Sequence, residues 1–186
     1  MPRIIGGRAK GRRLAVPARG TRPTSDRARE ALFNTLDGLL ELAGAHVLDL
    51  YAGSGAVGLE ALSRGAARAT LVESNAAAAA TAAGNMAALA LAGATLTRRP
   101  VERFVAGPPP ADAPCQLVFA DPPYALGADR LRAVLAALAA PGWLAPGAVL
   151  VVERSARDGA DPWPNVIEPI KHMRYGEAIL WYGRLR

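Results

Sequence analysis

The segment QLVFADPPYAL, residues 116–126, joins an apolar run to an acid, two prolines and a tyrosine. The apolar run is typical of a buried strand, so Asp121 would stand at the carboxyl edge of a sheet, where open α/β folds bind ligands. Proline fixes φ, so the backbone at Pro122 and Pro123 is stiff and its carbonyls point in set directions. A carboxylate beside such a carbonyl can accept both hydrogens of an exocyclic amine on a base, while Tyr124 offers a ring for stacking. The alternative at this point is a proline-rich turn without chemistry.

A glycine-rich turn is the second pattern with chemical meaning. The segment LDLYAGSGAVGLE, residues 48–60, places Gly53, Gly55 and Gly58 in a G-x-G-x-x-G spacing after a predicted strand. This spacing brings a ligand close to bare backbone at a helix N-terminus. Alone it is a weak signal, because NAD oxidoreductases, other nucleotide-binding proteins and plain tight turns share it.

Two acids narrow the choice of ligand. Asp49 precedes the glycines within the end of the predicted strand, and Glu73 ends the next one, where a carboxylate can accept both hydroxyls of a ribose. A negative charge at Asp49 would repel the pyrophosphate of a dinucleotide but would attract a cationic ligand. S-adenosylmethionine carries an ammonium and a sulfonium and no phosphate, so the pair favours this cofactor. A capping acid is the structural alternative for Asp49.

Alternating elements must position these residues. Apolar runs predict strands, and the segments between them predict helices. A further helix is predicted to begin near Thr24 or Ser25 and to end at Gly44. The C-terminal part predicts two strands around a turn at 175–177. The predicted strands are 47–51, 69–73, 94–98, 117–120 and 148–153, and the predicted helices between them are about 56–64, 75–91, 101–105 and 129–140. Short apolar strands that alternate with helices indicate a mostly parallel sheet covered on both faces. We therefore expect a Rossmann-like α/β fold with seven strands and an antiparallel C-terminal hairpin.

The charge is concentrated at the N-terminus. The 186 residues carry 22 Lys and Arg against 16 Asp and Glu, for a net charge of +6. Nine of the basic residues and two of the acidic ones lie within residues 1–30, which leaves a nearly neutral body. This pattern predicts a small basic extension that binds a polyanion, because each phosphate neutralised by Lys or Arg releases counterions. A solubilising tail is the alternative.

Other classes of protein find little support. No apolar segment approaches a membrane span, and the N-terminus lacks the apolar run of a signal peptide, so we expect a soluble cytoplasmic protein. The single Cys115 precedes an apolar strand and is expected to be a buried hydrophobe. His46 and His172 lie far apart, and the sequence predicts no metal site.

Four segments together resemble the RsmD-type family of bacterial 16S rRNA guanine-N2 methyltransferases, which use S-adenosylmethionine. The segments are LDLYAGSGAVGLEALSRGA, ADPPY, RIIGGRAKGRRLAVP and RPTSDRAREALFN. The resemblance covers essentially the whole chain. It implies a class I methyltransferase domain at 44–186 and a basic arm and helix at 1–43 that meet RNA and close over the cofactor. It also implies that the partner is 16S rRNA, within the small ribosomal subunit or an assembly intermediate, and that the product of the cofactor is S-adenosylhomocysteine. Because a small single-domain enzyme would work here on a large particle, we expect a monomer.

The resemblance assigns roles to individual residues. Catalytic and base-binding roles fall to Asp121, Pro122, Pro123 and Tyr124. Cofactor binding falls to Asp49, Tyr51, Ala52, Gly53, Gly55, Glu73, Ser74 and Phe33. RNA contacts fall to Arg12, Arg13, Arg22, Thr24, Asp26 and Arg29. Many such enzymes bind the adenine of the cofactor through an acid or amide where this chain has Pro100, with Glu102 two residues later, so backbone groups are expected to serve instead.

Three rival functions remain open. DNA adenine-N6 methyltransferases share the Asp-Pro-Pro-Tyr motif, but they usually carry an added recognition region, for which this chain leaves little length. Enzymes that methylate protein glutamine characteristically have Asn in place of Asp121. A non-catalytic RNA-binding assembly factor would need neither an intact glycine turn nor Asp121.

Overall fold

The computed structural model describes residues 2–17, 26–158 and 161–186. Its helices are α1 Asp26–Leu36, α2 Ala56–Ser63, α3 Ala76–Leu89, α4 Val101–Val105 and α5 Ala128–Leu138. Its strands are β1 His46–Leu50, β2 Arg68–Val72, β3 Ala94–Thr97, β4 Cys115–Ala120, β5 Leu144–Ser155, β6 Ile167–Tyr175 and β7 Ala178–Leu185. Within the described ranges, no helix combines the length and apolarity that a membrane crossing requires.

The strands form one seven-stranded sheet in the order β3-β2-β1-β4-β5-β7-β6. The first five strands are parallel to their neighbours, whereas β7 is antiparallel to both β5 and β6. The order reverses between β1 and β4, which is where doubly wound folds bind ligands. The predicted mostly parallel sheet with a C-terminal hairpin is therefore confirmed.

Side chains alternate between the two faces of the sheet and build two cores. Val47, Phe119 and Val151 point to one face, where they pack with residues of α1, α2 and α3. Leu48 and Val118 point to the other face and pack with residues of α4 and α5. The prediction that helices cover both faces of the sheet is confirmed. Alternate residues along a strand face opposite helix layers.

The first helix is shorter than predicted. It ends at Leu36 instead of reaching Gly44, while its predicted cap at Thr24 or Ser25 lies outside the described residues. The Gly38 amide donates to the Thr35 carbonyl at 3.2 Å and the Leu39 amide to that of Leu36 at 2.8 Å. These i→i+3 bonds tighten and close the helix where glycine lowers helix propensity. Leu39 still packs on the core, which explains why the apolar periodicity extended past the helix.

The described part of the basic segment, residues 2–17, is anchored to the body. Ile4 and Leu14 have no exposed surface and belong to the core shared with α1, α2 and α3. The Ile5 and Gly6 amides donate to the two carboxylate oxygens of Glu60 on α2, at 2.8 and 2.7 Å. Basic side chains of this segment remain exposed, so it presents its charge from a fixed place.

Replacing Glu60 should release this segment. Glu60 is fully buried and also accepts from Arg64 at 2.8 Å, so Glu60→Ala leaves two amides and a guanidinium without their acceptor. We expect a loss of about 3 kcal/mol or more in the free energy of unfolding, measured by urea denaturation. Glu41→Ala, at an exposed position, is the matched control and should change stability by less than about 0.5 kcal/mol. Equal stabilities of the two variants would contradict the anchoring role of Glu60.

Candidate active site

A cavity of about 570 Å³ opens at the carboxyl edge of the sheet. Its walls are the turns after β1, β2 and β4, the end of β5 and the turn between β6 and β7. The residues predicted from the sequence that line it are Asp49, Tyr51, Ala52, Gly53, Glu73, Ser74, Asp121, Pro122, Pro123 and Tyr124. The structure therefore brings the glycine turn, the two strand-end acids and the Asp-Pro-Pro-Tyr segment to one site.

The turn after β1 uses left-handed backbone. Tyr51, Gly53 and Gly55 have φ values of 58°, 55° and 77°, and a side chain other than glycine at such angles carries strain. A Cβ at Gly55 would meet a methyl group of Leu71 at 2.4 Å, so this glycine serves the packing of α2 against β2, and it does not line the cavity. A Cβ at Gly53 would meet nothing within 4 Å, so its backbone faces open space that a ligand can approach.

Asp49 lies beneath this turn and is 2% exposed. One carboxylate oxygen accepts from the Gly58 amide at 2.9 Å, which ties the end of β1 to the start of α2. Burial raises the pKa of Asp49 to about 7, with the nearby charge of Glu73 adding to the effect and the Gly58 amide opposing it. A positively charged ligand in the cavity would favour the ionised form.

Glu73 connects the turn after β1 to the turn after β2 through hydrogen bonds. One of its carboxylate oxygens accepts from the Gly53 amide at 2.8 Å, and the other accepts from the Asn75 amide at 2.7 Å. A carboxylate has about four lone-pair sites, so it can still accept the two hydroxyls of a ribose. Asn75 in turn caps α3 by accepting from the Ala77 and Ala78 amides, each at 3.0 Å.

Asp121 follows β4 and continues its pairing. Its amide donates to the Leu50 carbonyl at 3.4 Å, which holds the residue against the end of β1. Burial raises the pKa of Asp121 well above its ordinary value, and the carboxylates of Glu153 and Asp49 add to this, while Arg154 opposes it. Tyr124 stands at the rim of the cavity with 56% of its surface exposed, where a flat base could stack on its ring.

Three cavity residues with charged or aromatic side chains come from C-terminal elements that the sequence reasoning did not assign to the site. They are Glu153 at the end of β5 and Tyr175 and Glu177 at the β6–β7 turn. Glu153 could have been found by the same reasoning as Asp121, since each ends an apolar strand in an acid. The hairpin residues carry no such signal, because only the antiparallel return of β7 brings their turn to this edge.

The cavity is strongly acidic. It is lined by the carboxyl groups of Asp49, Glu73, Asp121, Glu153 and Glu177, while no Lys or Arg occurs among the described residues that line it. Such a lining suits a cationic ligand and disfavours one that carries phosphate groups. This argues against the dinucleotide that the glycine spacing alone left open.

Two residues of α1 do not occupy their predicted places. Phe33, predicted to bind the cofactor, is fully buried in the core with the Arg64 guanidinium 4.8 Å from its ring centre. Arg29, predicted to contact RNA, is also fully buried and donates to the Arg3 carbonyl at 2.5 Å and to Asp26 at 2.8 Å. In the described structure neither side chain lies in the cavity or at the surface, because these faces of the helix turn to the protein while Ala28 lines the cavity.

The other predicted RNA contacts lie in different places. Arg12 and Arg13 are exposed, and Arg12 donates to the carbonyl of Ala88 in the last turn of α3. Ala78 of α3 lines the cavity, so the Ala88 carbonyl that Arg12 binds lies about 15 Å further along this helix at a rise of ~1.5 Å per residue. Asp26 is paired with Arg29, and Arg22 and Thr24 lie outside the described residues.

Cys115 and the histidines form no second site. Cys115 is buried, and burial raises the pKa of its thiol to about 12, in line with a packing role. His46 is buried against Thr70 at 2.9 Å, while His172 stacks on Trp181. Within residues 2–17, 26–158 and 161–186 no group of three or more His, Cys, Asp or Glu is arranged to hold a metal ion.

The strand order, with a glycine turn after β1 and a ligand cavity at the carboxyl edge, defines the class I methyltransferase fold. Within this class, the chain belongs to the family described as Conserved hypothetical protein 95, which matches residues 2–184. It is 42% identical to Ribosomal RNA small subunit methyltransferase D of Escherichia coli K12 over 163 residues, which cover 87% of this chain and 79% of the relative. The RsmD-type resemblance of the motifs is thereby confirmed.

Solved structures agree with this assignment. A structure from Escherichia coli has a TM-score of 0.87 at 37% identity and covers 100% of this chain and 98% of that chain. A Thermus thermophilus protein has a TM-score of 0.80 at 34% identity, with 98% of each chain covered. An RNA methyltransferase from Salinibacter ruber, solved in complex with S-adenosyl-L-homocysteine, has a TM-score of 0.62 at 15% identity over 88% of this chain and 93% of that chain, and shows the fold alone.

Proposed function

We propose that this protein transfers a methyl group from S-adenosylmethionine to the exocyclic N2 amine of a guanine in 16S rRNA of the small ribosomal subunit. The observation that carries the proposal is that Asp121, Pro122 and Tyr124 line the same cavity as Asp49 and Glu73. A site for an amine on a flat base is thus joined to a site for a cationic nucleoside. Membership of a family that includes a small-subunit rRNA methyltransferase supports the choice of substrate.

The cavity suits the proposed cofactor. Asp49 and the open backbone at Ala52 and Gly53 would hold its methionine part, and Glu73 would hold its ribose. The raised pKa of Asp49 supports this fit, because a buried acid that resists ionisation gains most from a cationic partner. Gly55 would act indirectly, by letting α2 pack close to β2.

The residues after β4 would prepare the target amine. When bound, S-adenosylmethionine would supply a methyl group on a positively charged sulfur. The amine nitrogen would form a bond to the methyl carbon as the carbon–sulfur bond breaks, which would leave neutral S-adenosylhomocysteine and release one N–H proton. The Asp121 carboxylate and the Pro122 carbonyl would accept the two amine hydrogens, which orients the nitrogen and makes its lone pair more available. Asp121, whose pKa is already raised, would then accept the released proton and pass it to solvent.

The N-terminal part would contact the RNA. Residues 1–43 would form the RNA-binding and cofactor-covering part and 44–186 the catalytic domain; Pro17 and Ala28 line the cavity from the first part. We propose that the enzyme acts in the cytoplasm as a monomer, on the small subunit or an assembly intermediate. The distance from Arg12 to the cavity implies contacts with RNA well beyond the target nucleotide.

Reversing the charge of both Arg12 and Arg13 to Glu should weaken RNA binding while leaving cofactor affinity unchanged. Each lost phosphate contact should lower the slope of log affinity against log salt by about 0.7–0.9, which a salt titration of RNA binding measures. The matched control reverses Arg103 and Arg132, which belong to α4 and α5 on the opposite face of the sheet. An identical salt slope in the two double variants would contradict the RNA contact and leave the segment a solubilising role.

The substrate class can be tested with S-adenosylmethionine that carries a radiolabelled methyl group. Small subunits that lack the modification, naked 16S rRNA and duplex DNA serve as parallel acceptors. We expect label in the RNA of the small subunits, in the naked 16S rRNA, or in both, approaching one methyl group per 16S rRNA molecule. Label in DNA alone would contradict the proposal and favour adenine methylation.

A further inference from the structure

Glu153 stands beside Asp121 at the edge of the cavity. In the parallel pairing of β4 with β5, Phe119 lies opposite Val151 and Ala120 opposite Val152, so the next positions along the two strands are Asp121 and Glu153. Neighbouring strands are about 4.8 Å apart, which puts the two backbones side by side. Glu153 lies two residues after Val151 and therefore on the same face of the sheet, toward the layer of α1, α2 and α3. Glu153 also lines the cavity.

A buried carboxylate beside a half-buried one is costly for the protein. Glu153 is 8% exposed, and its charge is a cause of the raised pKa of Asp121. Arg154, the next residue, donates to the Leu126 carbonyl at 3.1 Å and pairs with Asp158 at 2.7 Å, and its charge opposes the rise in the pKa of Asp121. Like charges held together in a low-dielectric site are stabilised when a ligand donates hydrogen bonds to both.

The edge of guanine offers such a ligand. Its N1–H lies directly beside the N2 amine, so the edge presents three neighbouring N–H hydrogens. Adenine presents two hydrogens on its N6 amine and a lone pair at N1. Asp121 and the Pro122 carbonyl can accept two hydrogens, which suffices for either base, and a third acceptor next to Asp121 is required by guanine alone.

We propose that Glu153 determines specificity for guanine by accepting the N1–H of the target base beside Asp121. This inference rests on the proposed function and names a residue that recognises the target base in that reaction. A carboxylate facing the N1 lone pair of adenine would repel it, so the same residue disfavours adenine.

The test uses 2-aminopurine, which keeps the 2-amino group but has a lone pair at N1. The target nucleotide of 16S rRNA is first located with the wild-type enzyme, and ligation then places guanine or 2-aminopurine there. Wild-type enzyme should prefer guanine by a factor of about 100 in kcat/KM, since a site built to receive an N–H discriminates strongly. Glu153→Gln should reduce this ratio to about 10 or less, because the amide can donate to the N1 lone pair.

Further variants separate base reading from a structural effect. Glu153→Ala should lower transfer to guanine without raising transfer to 2-aminopurine, and Glu168→Gln, at an exposed position outside the cavity, should leave the ratio unchanged. S-adenosylmethionine affinity within a few-fold of wild type shows that Glu153→Gln is folded. An unchanged guanine to 2-aminopurine ratio in Glu153→Gln would overturn the proposal. Absence of N2-methylguanosine with the wild-type enzyme would instead overturn the proposed function itself.

Discussion

Asp121→Ala should abolish methyl transfer while leaving the affinity for S-adenosylmethionine within a few-fold of wild type. The variant loses the charged acceptor that orients the target amine and takes up its proton, whereas the contacts proposed for the cofactor belong to the turns after β1 and β2. Loss of one such electrostatic contact typically costs a factor on the order of 10²–10³ in rate, and the missing proton acceptor adds to it. Single-turnover kinetics with saturating cofactor measures the effect.

Asp121→Asn is the matched control for this prediction. Its amide oxygen can still accept one hydrogen of the amine but carries no charge and cannot take up the proton, so we expect a smaller loss than with alanine. Both variants should be more stable than wild type at neutral pH without cofactor, because a half-buried carboxylate with a raised pKa has been removed. Retained turnover in Asp121→Ala, or loss of cofactor binding, would show that its assigned role is wrong.

Asp49→Asn should weaken the binding of S-adenosylmethionine by about 30-fold or more at pH 7.5, since removal of one partner of a buried charge pair costs roughly 2 kcal/mol or more. The affinity of the wild-type enzyme should rise with pH up to the pKa of Asp49, about 7, because the cationic cofactor binds the ionised form. Calorimetry between pH 5.5 and 7.5 should show up to about a tenfold gain per pH unit below that pKa. The Asn variant should lose most of this dependence.

The stability of the cofactor-free enzyme should depend on pH in the opposite direction. Burial raises the folded-state pKa of Asp49 to about 7, above its ordinary value, so the folded state binds more protons than the unfolded state in this window. The contribution of Asp49 to stability therefore falls as pH rises from about 4 to about 7. A wild-type cofactor affinity that does not vary with pH would contradict the contact between Asp49 and the cofactor.

Strand ends were the part of the site that the sequence could predict. Asp49 lies near the end of an apolar strand, and Glu73 and Asp121 directly follow one. Parallel strands bring their carboxyl ends to one edge, so the meeting of these acids follows from pattern alone. The hairpin turn at Tyr175 could be predicted as a turn but not as part of the cavity. Its place depends on β7 inserting next to β5, a long-range pairing without a local signal.

The first helix and the basic segment show why the rest could not be predicted. Periodicity identifies the apolar stripe of a helix, yet Arg29 is buried beside that stripe because Asp26 and the Arg3 carbonyl supply acceptors there. Positive charge predicted a polyanion-binding extension or a solubilising tail for the N-terminal segment. Its anchoring depends on Glu60, a buried acid on α2 whose partners are backbone amides more than 50 positions away.

The identity of the methylated nucleoside tests the central claim most directly. Small subunits that lack the modification are treated with the enzyme and S-adenosylmethionine carrying a deuterated methyl group, and the rRNA is digested to nucleosides for mass analysis. We expect the deuterated methyl group in N2-methylguanosine, and none with Asp121→Ala. Label in N6-methyladenosine, or on a ring nitrogen of guanosine, would contradict the claim that Asp121 and Pro122 present the N2 amine of guanine.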